Sequence, residues 1–216
     1  MNVALLLKEY FDNLPSVSID VFDADSINDV YSDVIKVLTS HFNIEVSVLQ
    51  AINYCFYEVL DNVLMHSGRP LGTVLTNYNQ AENVLRILVA DDGMGIRASL
   101  AENAKYEAIS EAEALSVCLN DSVTDGKGMG FGLFATSRLM KTIGINFIIH
   151  SGHHKLVFEN GQVSVKSNGL WTGTIVYLEV RTNKAIDPDD VVDHRTDVTN
   201  QYNEYFVESD EIEQLW

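Results

Sequence analysis

Three polar side chains recur at intervals of four residues in the largely apolar stretch Tyr57–His66. They are Glu58, Asn62 and His66. Residues four apart lie nearly above one another on an α-helix, so this spacing predicts one polar row along one helix. A carboxylate in such a row could orient or deprotonate an attacking water or hydroxyl, and a carboxamide oxygen could bind Mg²⁺. The row could equally be the polar flank of an amphipathic helix.

A glycine-rich segment, Gly126-Lys127-Gly128-Met129-Gly130-Phe131-Gly132-Leu133, precedes a predicted helix that ends near Ile143. Glycine lets a backbone approach phosphate closely, and a helix start offers unpaired amides at the positive end of its dipole. The segment has neither the Gly-Lys-Ser/Thr of a Walker loop nor the spacing of a dinucleotide-binding motif. Taken alone, it fits a flexible glycine hinge as well as a phosphate site.

The third motif is Asp91-x-Gly93-x-Gly95-Ile96, which directly follows a predicted strand. A carboxylate at a strand end could accept a hydrogen bond from the exocyclic amine of a base, and the glycines would leave room for a flat ring. The alternative interpretation is an ordinary β-turn.

Hydrophobic periodicity predicts the elements that would carry these motifs. Apolar residues recur at helical spacing beside the polar row, which indicates a core-facing helix from roughly residue 46 to residue 66. The other elements predicted in this half are a strand over 17–22, a helix from Asp25 or Ser26 to about His41, and strands over 72–78 and 84–90.

The pattern loosens between Arg97 and Lys127, except for a helix that begins with the capping box Ser110-Glu111-Ala112-Glu113 and continues to Leu119. A link of this length is more often a lid or binding loop than an idle connection, and its terminal Arg97 and Lys127 could reach phosphate oxygens. Four antiparallel strands are then predicted over 146–150, 155–159, 162–166 and 174–180, with turns at Gly152, Gly161 and Gly169.

Composition restricts the partners and the compartment. The formal net charge of -17 over 216 residues would repel a phosphate backbone, so we expect neither nucleic-acid binding nor membrane binding. The apolar run Val3–Leu7 is too short for a membrane span, and it lacks the basic start and small-residue cleavage site of a signal peptide. We therefore expect a cytoplasmic protein in which Cys55 and Cys118 are reduced packing residues.

Two features stand apart from the three motifs. Residues 182–216 carry ten acidic residues against Lys184 and Arg195. We interpret them as a solvated acidic tail that follows one domain over residues 1–181, although the tail's aromatic residues leave a docking role open. His150, His153 and His154 could bind a metal, but a surface turn is the favoured interpretation.

The order and spacing of the three motifs resemble the N, G1 and G2 boxes of the GHKL (histidine kinase-like) ATPase superfamily. The resemblance covers roughly residues 15–181, and Gly173-Thr174 is similar to the family's closing contact with adenine. The Glu58-x3-Asn62-x3-His66 form looks most like the anti-sigma-factor serine kinases and the stand-alone ATP-binding proteins related to them. Compared with those kinases, the hairpin after Lys141 is longer and the acidic tail is extra.

The resemblance implies the Bergerat fold, an α+β two-layer sandwich with a mixed β-sheet, helices on one face and an ATP lid over residues 97–127. It implies ATP and Mg²⁺ as cofactors, with Asn62 as the metal ligand and Glu58 as the general base. The implied nucleotide-binding residues are Asn62, His66, Asp91, Gly93, Gly95, Ile96, Lys127, Gly128, Met129, Gly130, Phe131, Gly132, Leu133 and Thr174.

Two functions follow as expectations. The first is a serine/threonine protein kinase that transfers the γ-phosphate of ATP to a small partner, for which a STAS-like or other regulatory protein is a candidate. The second is an ATP-gated protein-binding module or slow ATPase without phosphotransfer. A homodimer is compatible with both functions, because the sequence contains no signal for or against one.

Overall fold

A computed structural model describes residues 1–41, 44–128, 130–159, 162–187 and 189–192 of the chain. Its elements in chain order are α1 (Val3–Tyr10), β1 (Ser18–Phe22), α2 (Ile27–His41), α3 (Val46–His66), β2 (Gly72–Asn79), β3 (Val84–Ala90), α4 (Gly95–Leu100), a 3-10 turn (Ala104–Tyr106), α5 (Glu111–Val117), α6 (Gly132–Ile143), β4 (Gly144–Glu159), β5 (Gln162–Arg181) and α7 (Asp189–Val192).

The long helix α3 occupies the residues predicted from its apolar stripe, and nine of its side chains are buried. Helix α5 begins with the predicted capping box, in which the side chains of Ser110 and Glu113 cap each other's backbone amides. This helix ends at Val117, two residues before Leu119, where its apolar pattern predicts the end. The strands before and after α3 also lie within a residue of their predicted limits.

Five strands form one sheet in the order β1-β2-β3-β5-β4, and each of the four pairings is antiparallel. The expectation of a mixed sheet is therefore wrong for this chain. Two of the pairings, β2–β3 and β4–β5, join strands that follow one another along the chain, and such neighbours pair antiparallel. The result is an α+β structure in which helices pack on an antiparallel sheet.

Helices cover both faces of the sheet, which corrects the expectation of helices on one face. The larger core lies under α2, α3 and α6 and includes Ile87 and Val89 of β3. A smaller core on the opposite face packs Leu6 of α1 against Leu88 and Ala90 of the same strand. Strand β3 is apolar at nearly every position, and such a run is typical of a strand buried on both faces.

The last two strands replace the four that were predicted. Strands β4 and β5 have 16 and 20 residues and form one long hairpin. Gly152 and Gly169 lie inside strands and not in turns, and Gly152 marks shifts of register that indicate β-bulges. Gly161 lies outside the described residues. Because β3 ends at Ala90, opposite Ile175, the hairpin continues past the sheet as a two-stranded ribbon.

The first residues of the acidic segment pack against the domain. Ile186 and Val191 are buried in the larger core, and the amide of Glu45 donates to the carbonyl of Thr182 at 2.9 Å. Residues 193–216 lie outside the described residues, so the solvated tail stays a prediction for them. Both cysteines are free and buried, as predicted. In the described ranges, no helix is long and apolar enough to cross a membrane.

Candidate functional site

A cavity of about 350 Å³ lies between α3, the end of β3, the lid residues and the start of α6. Nearly all the residues expected to bind nucleotide line this cavity, although they come from four separate parts of the chain. The predicted residues in its wall are Glu58, Asn62, His66, Asp91, Gly95, Ile96, Lys127, Gly128, Gly130, Phe131, Gly132, Leu133 and Thr174. Gly93 is not in the wall, and Met129 lies outside the described residues.

Glu58 faces the start of α6 from the middle of α3. A Cβ atom added to Gly132, the first residue of α6, would lie 2.5 Å from Glu58 Oε2, so a side chain there would displace the carboxylate from its present position. The pKa of Glu58 is raised to about 7, mainly by burial and also by the nearby charge of Asp61, while a hydrogen bond with Tyr54 acts in the opposite direction. A carboxylate with this pKa can exchange a proton near neutral pH.

The side chain of Asn62 carries an unsatisfied hydrogen-bond donor. It lines the cavity one turn after Glu58, and its buried Nδ2 makes no hydrogen bond to the part of the chain that the structure describes. A buried polar group without a partner costs free energy, so a ligand that satisfied it would be favoured. Because Nδ2 is a donor, this arrangement fits a ligand that presents an acceptor such as an oxygen atom.

Asp91 is 3% exposed at the end of β3. Its Oδ1 accepts a hydrogen bond from the amide of Gly93 at 2.7 Å, so Gly93 shapes the motif from behind the cavity wall. Burial raises the pKa of Asp91 to about 6, while backbone hydrogen bonds with Gly93 and Thr174 act in the opposite direction. The result is a buried carboxyl group that can accept a hydrogen bond from a ligand in the cavity.

The Asp91 motif rests directly on the bulged part of β5. The amide of Asp91 donates to the carbonyl of Thr174 at 2.9 Å, and Trp171 Nε1 donates to the carbonyl of Asp91 at 3.0 Å. Gly173 lies between them with φ +92°, and an added Cβ would be 2.4 Å from Asp91 O. Glycine is required at this position by both the backbone angle and the close approach.

Ser151 on β4 joins the next residues of the motif to the same support. Its Oγ accepts a hydrogen bond from the amide of Ile96 at 3.0 Å and donates one to the carbonyl of Gly173 at 2.9 Å. The start of α4 and the bulged strand are therefore held together under the cavity.

His66 closes the polar row of α3 by contacting the lid. Its Nδ1 lies 2.6 Å from Asp125 Oδ2, which also accepts a hydrogen bond from Ser99 Oγ at 2.9 Å. Burial raises the pKa of Asp125, but hydrogen bonds from the Lys127 amide, His66 and Ser99 outweigh it and leave that pKa below its usual range. The last residue of α3 is thus linked to α4 and to the glycine-rich segment.

The glycine-rich segment is crowded at one glycine and open at another. Gly130 has φ +70°, and an added Cβ would lie 2.4 Å from the carbonyl oxygen of Val123. At Gly128, in contrast, no atom of the described chain lies within 4 Å of the Cβ position. Lys127 forms an ion pair with Glu102 at 2.7 Å, so its ammonium group is already paired inside the lid.

Arg97 and the three histidines of β4 lie away from the cavity. Arg97 donates to the carbonyl of Ile109 at 3.1 Å and is not in the cavity wall. The three histidines lie in β4 and not in a surface turn. His150 is buried, while His153 and His154 contact Glu111 of α5. No cluster of His, Cys, Asp or Glu suited to a metal ion is found within the described residues.

The polar residues of the cavity wall that sequence reasoning missed include Asp61, Ser99 and Asp125. Asp61 lies between Glu58 and Asn62, and burial raises its pKa, while the charge of His66 acts in the opposite direction. Its place beside the polar row was a usable signal. Ser99 and Asp125 belong to no motif, and their only signal was their position in the long link after Asp91.

The wall as a whole combines groups suited to the parts of a nucleotide. It offers a buried carboxyl acceptor, an unpartnered carboxamide, open backbone before a helix start, and a second carboxyl group that titrates near neutral pH. Neither the models of known protein families nor the curated proteins match this chain.

Proposed function

We propose that the cavity binds ATP with Mg²⁺ and that the chain is a regulatory protein kinase of the anti-sigma-factor type. The observation that carries this proposal is the convergence of α3, the Asp91 motif, the glycine-rich segment and Thr174 on one cavity of about 350 Å³. Such a volume is typical of small-molecule sites. We further propose that the chain is a member of the GHKL superfamily with a variant of the Bergerat fold, in which the sheet is antiparallel and α1 covers its second face, and that residues 97–127 are the ATP lid.

Different polar groups of the cavity wall would contact different parts of the nucleotide. Asp91 would accept a hydrogen bond from the adenine amine beside Thr174, and the open backbone at Gly128 would approach the phosphates. Asn62 would hold Mg²⁺ through its carboxamide oxygen, as the resemblance implies, while its buried Nδ2, which has no partner in the described structure, would donate to an oxygen of the ligand. When bound, Mg²⁺ would neutralise charge on the phosphate oxygens.

Glu58 would act as the general base of the transfer. The hydroxyl oxygen of a serine or threonine on the partner forms a bond to the γ-phosphorus, the bond to the bridging oxygen breaks, and ADP leaves. The hydroxyl proton passes to Glu58, whose pKa of about 7 suits proton transfer near neutral pH. Positioning and charge neutralisation would supply most of the rate enhancement.

An ATP-gated binding module is the second candidate, and the lid contacts favour it. Glu111 of α5 accepts a hydrogen bond from the amide of His153 at 2.9 Å and contacts His154 Nδ1 at 3.0 Å. The lid is thus bound to the ribbon of β4 and β5, so a change at the cavity could alter that outer surface. This candidate needs nucleotide binding but no phosphotransfer.

Transfer of label separates the two candidates. The chain is incubated with γ-labelled ATP, Mg²⁺ and the product of a neighbouring gene, and label is followed on protein. The kinase is supported if the partner acquires label and Glu58→Ala abolishes this transfer while ATP still binds. Stoichiometric ATP binding without labelled protein would contradict the kinase and favour the binding module.

A further inference from the structure

Asp125 is the most enclosed charged group of the lid. Its side chain is 1% exposed, and three different parts of the cavity wall donate to or contact its carboxylate. His66 at the end of α3 lies 2.6 Å away, Ser99 of α4 donates at 2.9 Å, and the amide of Lys127 donates at 2.9 Å. Burying a carboxylate is costly unless it is paired in this way.

The neighbouring residues hold the same piece of chain at further points. Thr124 Oγ1 donates to the carbonyl of Gly128 at 2.8 Å and accepts from the amide of Gly126 at 3.0 Å. Asn103 donates to the carbonyl of Thr124 at 3.1 Å. These bonds tie the start of the glycine-rich segment to the lid and give it a defined path.

The fixed contacts surround a stretch of backbone that is itself open. At Gly126 and Gly128, no atom of the described chain lies within 4 Å of a Cβ position, whereas the following Gly130 is tightly packed. Both oxygens of the Asp125 carboxylate are occupied by its own partners. A backbone that is held in place but left open on one side is suited to receive phosphate oxygens.

We propose that Asp125 is a positioning residue, which fixes the glycine-rich segment so that its open backbone meets the phosphate groups of the bound nucleotide. This inference rests on the proposed nucleotide site. It assigns Asp125 no contact with phosphate, because its carboxylate is already occupied by His66, Ser99 and the Lys127 amide. Loss of Asp125 should therefore weaken the phosphate-dependent part of nucleotide affinity and spare the part due to adenosine.

The test compares ATP with adenosine on the full chain. Affinity for ATP with Mg²⁺ is measured by calorimetry and affinity for adenosine by an NMR titration, in the wild type and in Asp125→Ala. Asp125→Asn keeps an oxygen for the Lys127 amide and should give partial rescue. Asp121→Asn is the matched control, since Asp121 is an exposed residue of the same lid and outside the cavity wall.

We expect Asp125→Ala to lose at least about tenfold in ATP affinity and to change adenosine affinity by less than about twofold. If Asp125→Ala does not fold, the same pattern is required of Asp125→Asn and of Ser99→Ala, with smaller losses. Equal losses for both ligands, or no loss for either, would overturn the positioning role. Failure of the wild type to bind either ligand would overturn the proposed function itself, which the wild-type titrations show separately.

Discussion

Glu58 and Asp91 illustrate, at the scale of single residues, a conflict between folding and ligand binding. Burial raises the pKa of both carboxyl groups, to about 7 and about 6. The folded chain then binds more protons than the unfolded chain between the ordinary carboxyl pKa and these values. Stability is therefore lost as pH rises through that window, and the ionised groups oppose folding at neutral pH. A bound ligand that used both carboxylates would offset this cost.

The proton-transfer role of Glu58 predicts a pH dependence of phosphotransfer. The deprotonated form increases as pH rises through about 7, so the rate at low ATP concentration should rise about tenfold between about pH 6 and pH 8. The measurement is the initial rate of label transfer across this range. A rate that is flat over the range, with ATP binding unchanged, would contradict the role of Glu58.

A substitution at Gly128 should affect ligand binding without affecting the stability of the fold. No atom of the described structure lies near its Cβ position, so Gly128→Ala should change the free energy of unfolding by less than about 0.5 kcal/mol. The added methyl group should nevertheless obstruct phosphate and weaken ATP binding at least about tenfold. Chemical denaturation and calorimetry check the two parts, and unchanged ATP affinity would remove Gly128 from the site.

The sequence predicted most of the residues that belong to local motifs and missed Ser99 and Asp125, which are defined by distant contacts. Glu58, Asn62 and His66 share one helix, so their spacing alone placed them in one row. Asp125 is 59 residues from His66, and Ser99 is 26 residues from Asp125, so no local pattern marks the contacts that join them. Their hydrogen bonds depend on how the lid folds onto α3.

At the scale of elements, the bulged strand β5 is the support of the Asp91 motif. Gly173→Ala should lower the free energy of unfolding by at least about 2 kcal/mol, because the residue has φ +92° and an added Cβ would meet Asp91 O at 2.4 Å. Gly169→Ala on the same strand is the matched control. Its Cβ position has no described atom within 4 Å, so denaturation should show no loss there. Equal effects of the two substitutions would contradict this packing.

The amino-terminal helix α1 belongs to the domain because it covers the second face of the sheet. Leu6 is 1% exposed against the apolar side chains of β3, whereas Leu5 is 44% exposed. Leu6→Ala should lower the free energy of unfolding by about 2–4 kcal/mol, and Leu5→Ala by less than about 0.5 kcal/mol. Denaturant unfolding of both variants provides the check, and a Leu6→Ala protein as stable as Leu5→Ala would show that α1 does not pack there.

Element prediction succeeded where one period dominated and failed where glycine interrupted a strand. The sequence of strand β3 is apolar at alternate and intervening positions alike, and this pattern indicates that both of its faces are covered. The long hairpin was divided into four strands because Gly152 and Gly169 resemble turn residues. Glycine at a bulge and glycine in a turn cannot be told apart without knowing which strand lies opposite.

At the scale of the whole molecule, the net charge of -17 opposes the approach of an anionic nucleotide. The cavity has few groups that reduce this repulsion. The ammonium group of Lys127 is paired with Glu102, and the backbone amides at the start of α6 supply partial positive charge. Nucleotide binding should therefore depend on Mg²⁺, which lowers the charge of the phosphates before and after they enter the cavity.

The most direct measurement is calorimetric titration of the full chain with ATP in the presence of Mg²⁺, for the wild type, Asp91→Asn and Asp92→Asn. Asp92 is the matched control, because its half-exposed side chain lies beside Asp91 but is not part of the cavity wall. We predict binding at one site by the wild type, at least about tenfold weaker binding by Asp91→Asn, and a change of less than about twofold in Asp92→Asn. No binding by the wild type, or equal binding by Asp91→Asn, would contradict the assignment of this cavity to ATP.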